Sequence, residues 1–382
     1  MHIYYISVSN LSNKYAHSVH IKNMLYALSK NNIKTSLVTI KNKKDCIVDG
    51  NLRNNINVIE FTYNFSKFAE LIIGLYIFCI SIFLNKKIYF LSRNLYATFF
   101  LTFLKNNKNI IYETHFVEEG IRGKIQLYII KKKIKTIVIS DALKNIIKKK
   151  YNLSSNPFYV LHDCGNYKKN FIKKKIIKGQ NLFKVKHKLN SNKNIGYFGS
   201  IAPGRGMELM INLSKRMHKI NFLIFGISKQ DYEKYKFKFK KNTRLLKRVD
   251  NDVALKYMEF CDILIMPYQK KNSVSEKKID TTKWMSPIKM FEYLGSGSPM
   301  ISSDLPVLKE VLKKNFNSLL CYPGSVNSWI NSIEKIISNN RLEGKILFNA
   351  KKTIQNRYSW SIRVKKIIGI FKNEKTWDNN NQ

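Results

Sequence analysis

The chain is poor in acidic residues. Twenty-five Asp and Glu stand against 68 Lys and Arg over 382 residues, giving a formal net charge of +43. That balance disfavours basic partners and favours polyanions such as nucleic acid, an anionic membrane face or phosphorylated substrates. Lysine and asparagine are abundant throughout, including the polar tail 373–382, so a chain-wide compositional bias explains the excess as well as a selected partner does. No zinc-finger spacing or aromatic RNA-binding signature accompanies the charge, which leaves nucleic acid a minor option. Cysteine is scarce too. Cys46, Cys79, Cys164, Cys261 and Cys321 are odd in number, scattered and without metal-ligand spacing, which argues against a disulfide framework and fits a reducing cytosol. The opening Met-His-Ile-Tyr-Tyr-Ile reads as a strand and lacks the basic region of a signal peptide. Long hydrophobic runs are missing: the longest, Leu71–Leu84, has 14 residues. A membrane span needs about 20, so the run reads as a buried helix.

What is present suffices for packed cores, with a hydrophobic fraction of 44% and an aromatic fraction of 13%. The length suggests about two domains. Strand-like segments at His2–Val8, Thr35–Ile40, Val58–Phe61, Ile88–Leu91, Asn109–Glu113, Thr136–Ser140 and Pro157–Leu161 alternate with helix-like ones at Val19–Ser29, Leu71–Leu84, Tyr96–Leu104 and Ala142–Lys150. After a charged, aperiodic stretch the alternation restarts. Strands are expected at Asn194–Phe198, Asn221–Phe225, Leu245–Val249 and Asp262–Pro267, and helices at Met207–His218, Asp252–Phe260, Ser325–Ser338, Leu342–Arg357 and Ser361–Phe371. The expected class is α/β, with two Rossmann-like, doubly wound domains facing across a cleft. The boundaries are an N-terminal domain over 1–165, a linker over 166–190 and a C-terminal domain over 191–358. A last helix and tail over 359–382 are expected to pack back on the first domain. Ligands of such sheets sit at the carboxyl ends of the strands.

Two segments carry chemistry. Strand Ile195-Gly-Tyr-Phe198 runs into Gly199-Ser-Ile-Ala-Pro-Gly-Arg-Gly206 just before an amphipathic helix. Glycines admit a ligand close to the backbone, free amides at a helix N-terminus favour phosphate, and Arg205 adds a charge-assisted contact. The second segment, Met285-Ser-Pro-Ile-Lys-Met-Phe-Glu-Tyr-Leu-Gly-Ser-Gly-Ser-Pro299, puts Lys289 and Glu292 on one helix face. A cation and a carboxylate on one turn suit a ligand with both phosphates and sugar hydroxyls.

These segments, with Cys261-Asp-Ile-Leu-Ile-Met-Pro-Tyr268, occur in the order seen in family 4 ("group 1") glycosyltransferases of the GT-B fold, which the chain resembles. Ala16-His-Ser-Val-His20, Tyr112-Glu-Thr-His115, Val138-Ile-Ser-Asp-Ala142, Leu161-His-Asp-Cys-Gly165 and Tyr358-Ser-Trp360 extend the likeness over nearly the whole chain. The resemblance implies donor binding by Gly199, Ser200, Gly204, Arg205, Gly206, Ser286, Lys289 and Glu292. Glu292 would hold the ribose, and Arg205 with Lys289 the diphosphate. Ser200 stands where the family has a second arginine, and Trp284 where it has the first glutamate of E-x7-E, so sugar handling departs from the pattern. Catalytic roles fall on His115, Arg205 and Lys289, and acceptor-side roles on Asn10, His17 and His20. Arg93 and Glu118 are further candidates by position, and Asp163 is placed at the hinge.

The implied activity is transfer of a sugar from a nucleoside diphosphate sugar to a glycan or lipid-linked acceptor. It would be retaining, without a metal ion or other cofactor, by a cytoplasmic protein. Lys131-Lys-Lys133 and Lys148-Lys-Lys150 add an anionic membrane surface as a candidate partner. Two alternatives stay open: a non-catalytic homologue or partner subunit of the same fold, and a basic nucleic-acid- or membrane-binding protein.

Overall fold

The computed structural model describes residues 1–8, 11, 15–41, 56–62, 69–84, 88–104, 107–154, 158–167, 182–190, 192–271, 273–274 and 279–374. They divide into two compact units, one formed by Met1–His162 and Trp360–Gln382, the other by Asp163–Ser359.

The first unit is built on seven strands: β1 (His2–Ile6), β2 (Lys34–Lys41), β3 (Ile56–Thr62), β4 (Ile88–Ser92), β5 (Ile110–Thr114), β6 (Lys135–Val138) and β7 (Phe158–Val160). All neighbours pair in parallel, in the order β3-β2-β1-β4-β5-β6-β7. Strand β5 is buried at every position, its Glu113 and Thr114 included, as a strand covered on both faces of a parallel sheet is. The order reverses between β1 and β4, and a doubly wound sheet receives its ligands at such a point. The covering helices are α1 (Ala16–Lys30), α2 (Ala69–Phe83), α3 (Leu95–Leu101), α4 (Gly120–Lys131) and α5 (Asp141–Tyr151). Helix α5 starts on Ser140, whose hydroxyl accepts from the Leu143 amide, and ends on left-handed Asn152.

In this unit two elements depart from the sequence expectation. Helix α4 was not foreseen, because its inner face is made of Gly123 and Gln126 with Ile129 and Ile130. Gln126 is buried by its bonds: its amide donates to Thr114 Oγ1 and the Phe116 carbonyl, both at 3.1 Å. Helix α2 buries Ile73, Gly74, Ile77 and Ser81 but leaves Ile72, Leu75, Ile82 and Phe83 exposed, so the apolar run is only half covered. Among the described residues no helix is long and apolar enough to cross a membrane.

The second unit holds β8 (Lys193–Phe198), β9 (Ile220–Ile227), β10 (Thr243–Lys247), β11 (Ile263–Met266), β12 (Met300–Ser303) and β13 (Leu319–Cys321). They form a parallel sheet in the order β10-β9-β8-β11-β12-β13, with its reversal between β8 and β11. Around it lie α6 (Met207–Arg216), α7 (Lys229–Tyr235), α8 (Asn251–Met258), α9 (Ile288–Ser296), α10 (Val326–Ser338) and α11 (Asn340–Arg357). Helix α6 turns Met207, Leu209, Met210, Ile211 and Leu213 inward, and exposes Glu208, Asn212, Lys215 and Arg216. Trp329 of α10 is fully buried in the same core. Within the stretch expected to link the domains, Gly165 bridges in parallel to Ser359; residues 168–181 lie outside the described residues. Helix α12 (Trp360–Lys372) belongs to the first unit, where it packs on α1.

Candidate active site

In the second unit the loop leaving β8 lies beside the sheet's reversal. Gly204 and Gly206 take positive φ of 81° and 82°, and Gly206 caps α6. A side chain at Gly206 would collide with the Pro267 carbonyl oxygen, 2.1 Å from an added Cβ. Between these glycines stands Arg205. Its guanidinium lies 4.4 Å above the Tyr268 ring, and its Nε is buried without a hydrogen-bond partner. Lys289, projecting from α9, places its ammonium 4.1 Å from the Tyr197 ring and 5.4 Å from the Tyr268 ring. An added Cβ at Gly199 would fall 2.1 Å from that ammonium, so a larger residue there would push the lysine tip aside. Tyr197 is itself fixed, donating its hydroxyl to the Ser200 carbonyl at 2.8 Å.

Two cations therefore share one tyrosine ring, and among the described residues neither forms an ion pair with a carboxylate. Ring faces attract a cation by about 0.5–2 kcal/mol but do not neutralise it. Burial, then the charge of Arg205, hold the Lys289 pKa well below its ordinary value, with Glu292 acting in the opposite sense. Such a site gains by taking up an anion.

Glu292, one turn beyond Lys289, is half-buried, and its Oε1 accepts from Asn251 Nδ2 at 2.7 Å. Burial raises its pKa; the Asn251 bond and Lys289 oppose that shift. Asn251 is a residue the sequence reading missed, since it sits 41 positions away in the first turn of α8. The same turn carries a further acidic feature. The chain does contain an Asp-x-Asp triplet, Asp250-Asn251-Asp252, placed where a helix begins, with its middle residue holding Glu292. Ser286 is buried and its hydroxyl accepts the Asp163 amide at 3.0 Å, so its observed contact is with the start of this unit's backbone.

In the first unit the carboxyl ends of β4 and β5 carry Arg93 and His115. Both converge on Glu113, whose side chain is fully buried. Oε1 of Glu113 lies 2.8 Å from His115 Nε2, 3.4 Å from His20 Nε2 and 3.6 Å from Arg93 Nε. Oε2 faces Arg363 Nη2 of α12 at 3.0 Å. Burial works to raise the Glu113 pKa, but Arg363, His20, His115 and Arg93 together hold it well below the usual carboxylate range. His17 is exposed at the start of α1, stacked on Tyr15, and Asn10 lies outside the described residues. Glu118 pairs with Arg122 at 2.7 Å, away from the Glu113 cluster.

Residues 192–339 match the sequence profile of the family described as glycosyl transferases group 1. The matched span lies within the second unit. A curated relative, the uncharacterized glycosyltransferase MJ1607 of Methanocaldococcus jannaschii, is 23% identical over 203 residues, 49% of each chain. The match thus spans about half the length of that relative. Among solved structures, a glycosyltransferase from Rickettsia africae superposes with a TM-score of 0.73 at 16% identity, covering 97% of this chain and 98% of that one. Alr3699/HepE of Anabaena, solved with UDP and glucose, gives 0.68 at 13% identity over 97% and 99%. The fold is GT-B, with two Rossmann-like units in one chain. The matched span contains both the Gly199–Gly206 loop and the Lys289–Glu292 turn. Arg205, Lys289, Tyr197 and Tyr268 are brought together within it, as are Glu292 and Asn251.

Proposed function

We propose that this chain is a glycosyltransferase that takes a sugar from a nucleoside diphosphate donor and passes it to a glycan or lipid-linked acceptor. The observation that carries the reading is the pair Arg205 and Lys289, two cations on one tyrosine, beside a helix N-terminus at the reversal point of the group 1 sheet. Cleavage of the sugar–phosphate bond leaves charge on a diphosphate, and preorganised donors stabilise that charge. The two side chains and the α6 amides supply such donors, so the reading needs no metal ion; retention of configuration follows the family resemblance. Glu292, oriented by Asn251, is assigned to the ribose hydroxyls. Binding of UDP by the Anabaena protein of the same fold supports the ligand class. Calorimetry with UDP, GDP and ADP tests it directly, and absence of binding by all three at low salt would leave a basic binding protein as the better reading. Sugar transfer to any acceptor excludes a non-catalytic homologue.

Glu292→Ala and Asn251→Ala are expected to weaken nucleoside diphosphate binding, the first by about tenfold or more and the second by less, since a hydrogen bond to a charged group contributes about 1.5–3 kcal/mol. Unchanged affinity in Glu292→Ala would refute the ribose role. Binding should also depend on pH through Lys289. In the free protein its pKa is lowered, and a bound diphosphate stabilises the ammonium and raises it. Binding therefore takes up a proton, and affinity falls as pH rises above the free-state pKa. Calorimetry in buffers of different ionisation enthalpy reads that uptake; its absence, together with a flat pH profile, contradicts the assignment.

We assign the acceptor side a lipid-facing surface on the first unit. The exposed Phe103 and Phe83 belong to the α2–α3 face. Tyr128 continues that face, its ring 5.4 Å from Phe99 and 6.4 Å from Phe103, with Lys132 at 5.4 Å over the same ring. Lysines near an anionic surface contribute about 1 kcal/mol each. Replacing Lys131, Lys132 and Lys133 by Ala is expected to weaken cosedimentation with anionic vesicles by about 100-fold and to leave zwitterionic vesicles unaffected.

A further inference from the structure

Arg363 is one of the largest fully buried side chains. It sits 250 positions beyond Glu113 in sequence, on the last helix. Its Nη1 donates to the carbonyls of Leu161 and His162, both at 2.6 Å, where the chain is about to leave the first unit. Its Nη2 forms the 3.0 Å ion pair with Glu113 Oε2. Glu113 in turn holds His115 through its other oxygen. A charged guanidinium thus reaches the sequence-predicted histidine through a single carboxylate.

From this geometry we infer that Arg363 and Glu113 are positioning residues that set the protonation pattern of His115. The inference rests on the proposed transfer function for its catalytic consequence, but not for its structural one. Two groups compete for His115 Nε2: the ionised Glu113, 2.8 Å away and able only to accept, favours the proton there, whereas Arg93 Nη2, 3.1 Å away and able only to donate, favours a bare Nε2. The shorter contact, to the carboxylate, puts the proton of the neutral ring on Nε2 and leaves Nδ1 as its acceptor. A buried carboxyl without Arg363 would take up a proton and could then donate to Nε2, moving the ring proton to Nδ1. The lowered pKa of Glu113, with Arg363 the foremost cause of lowering, accords with this arrangement. The other titratable or charged groups facing the carboxylate are His20 of α1 and Arg93 after β4, while Tyr5 of β1 lies near enough to feel both Glu113 and Arg93. Trp360, on the same helix as Arg363, packs edge-on against His20 with ring centroids 5.0 Å apart, so α12 supports two members of the cluster.

The test uses the full chain and reads the imidazole directly by nitrogen-15 NMR. Wild-type His115 is expected as the Nε2–H form at neutral pH, and Arg363→Met and the near-isosteric Glu113→Gln are expected to change that population. Arg363→Lys, which keeps the charge, should restore it in part. Arg363→Met should also move the acid limb of the kcat profile to higher pH and lower kcat at least tenfold, with KM for the nucleotide sugar within about twofold. An Nε2–H ring in both Arg363→Met and Glu113→Gln would overturn the inference, as would an Nδ1–H ring in the wild type. Wild-type turnover by His115→Ala would remove the catalytic consequence alone, since the NMR result stands apart from activity. Where Arg363→Met fails to fold, Glu113→Gln decides.

Discussion

Arg205→Ala and Lys289→Ala are each expected to lower kcat/KM for sugar transfer by about 100-fold. Loss of one preorganised donor at a developing oxyanion costs about 3 kcal/mol, and each factor of ten is about 1.4 kcal/mol. The two variants should not be equivalent. Removing Arg205 relieves the repulsion that lowers the Lys289 pKa, so the remaining lysine becomes more fully charged and recovers part of the loss. Removing Lys289 gives no such relief, and it empties the space between Tyr197 and Tyr268. Lys289→Ala is therefore expected to be the more damaging of the two. The double variant should exceed the product of the single effects, because the lysine that partly compensates for the loss of Arg205 is then gone as well. Steady-state kinetics on both single variants and the double decides the matter. Turnover like the wild type in both singles would sink the diphosphate assignment.

Much of this fold was legible in the sequence because the strands are short apolar runs at regular spacing, and parallel sheets bury such runs on both faces. His2–Ile6 and Ile263–Met266 are of that kind. The Lys289–Glu292 turn and the glycine loop were legible for a different reason: local spacing fixes which side chains share a helix face or a turn. What escaped the reading is long-range. Asn251 meets Glu292 across 41 positions, and Arg363 reaches the Leu161 carbonyl across 202. Periodicity carries no information about either partnership. Helix α4 escaped because a buried glutamine occupies its inner face, satisfied by Thr114 and Phe116 where an apolar residue would normally be expected. The exposed side of α2 escaped because apolarity alone does not say whether a neighbour covers it.

Gly206→Val is the second large effect, and it acts through backbone rather than charge. At φ of 82° a β-branched residue is strained, by roughly 1–2 kcal/mol for the left-handed region alone. The added Cβ also meets the Pro267 carbonyl oxygen at 2.1 Å and the Pro267 ring carbons at 2.7 Å. Neither the carbonyl nor the proline ring can rotate away, so either the loop or the end of β11 must shift. Residue 267 directly precedes Tyr268, whose ring carries both Arg205 and Lys289, and residue 206 caps the helix whose amides face the loop. Any relaxation thus displaces the anion site as a whole. The expected outcome is a loss of stability of about 2 kcal/mol or more in the second unit, with nucleoside diphosphate affinity down by at least 100-fold. Gly344→Ala is the matching control. Gly344 is exposed within α11, nothing lies within 4 Å of an added Cβ, and the substitution should stabilise by about 0.5–1 kcal/mol. Denaturant unfolding and calorimetry on the two variants separate the cases. A Gly206→Val protein that unfolds like the wild type and binds nucleotide equally well would show that the loop yields freely, and would remove the reason for glycine there.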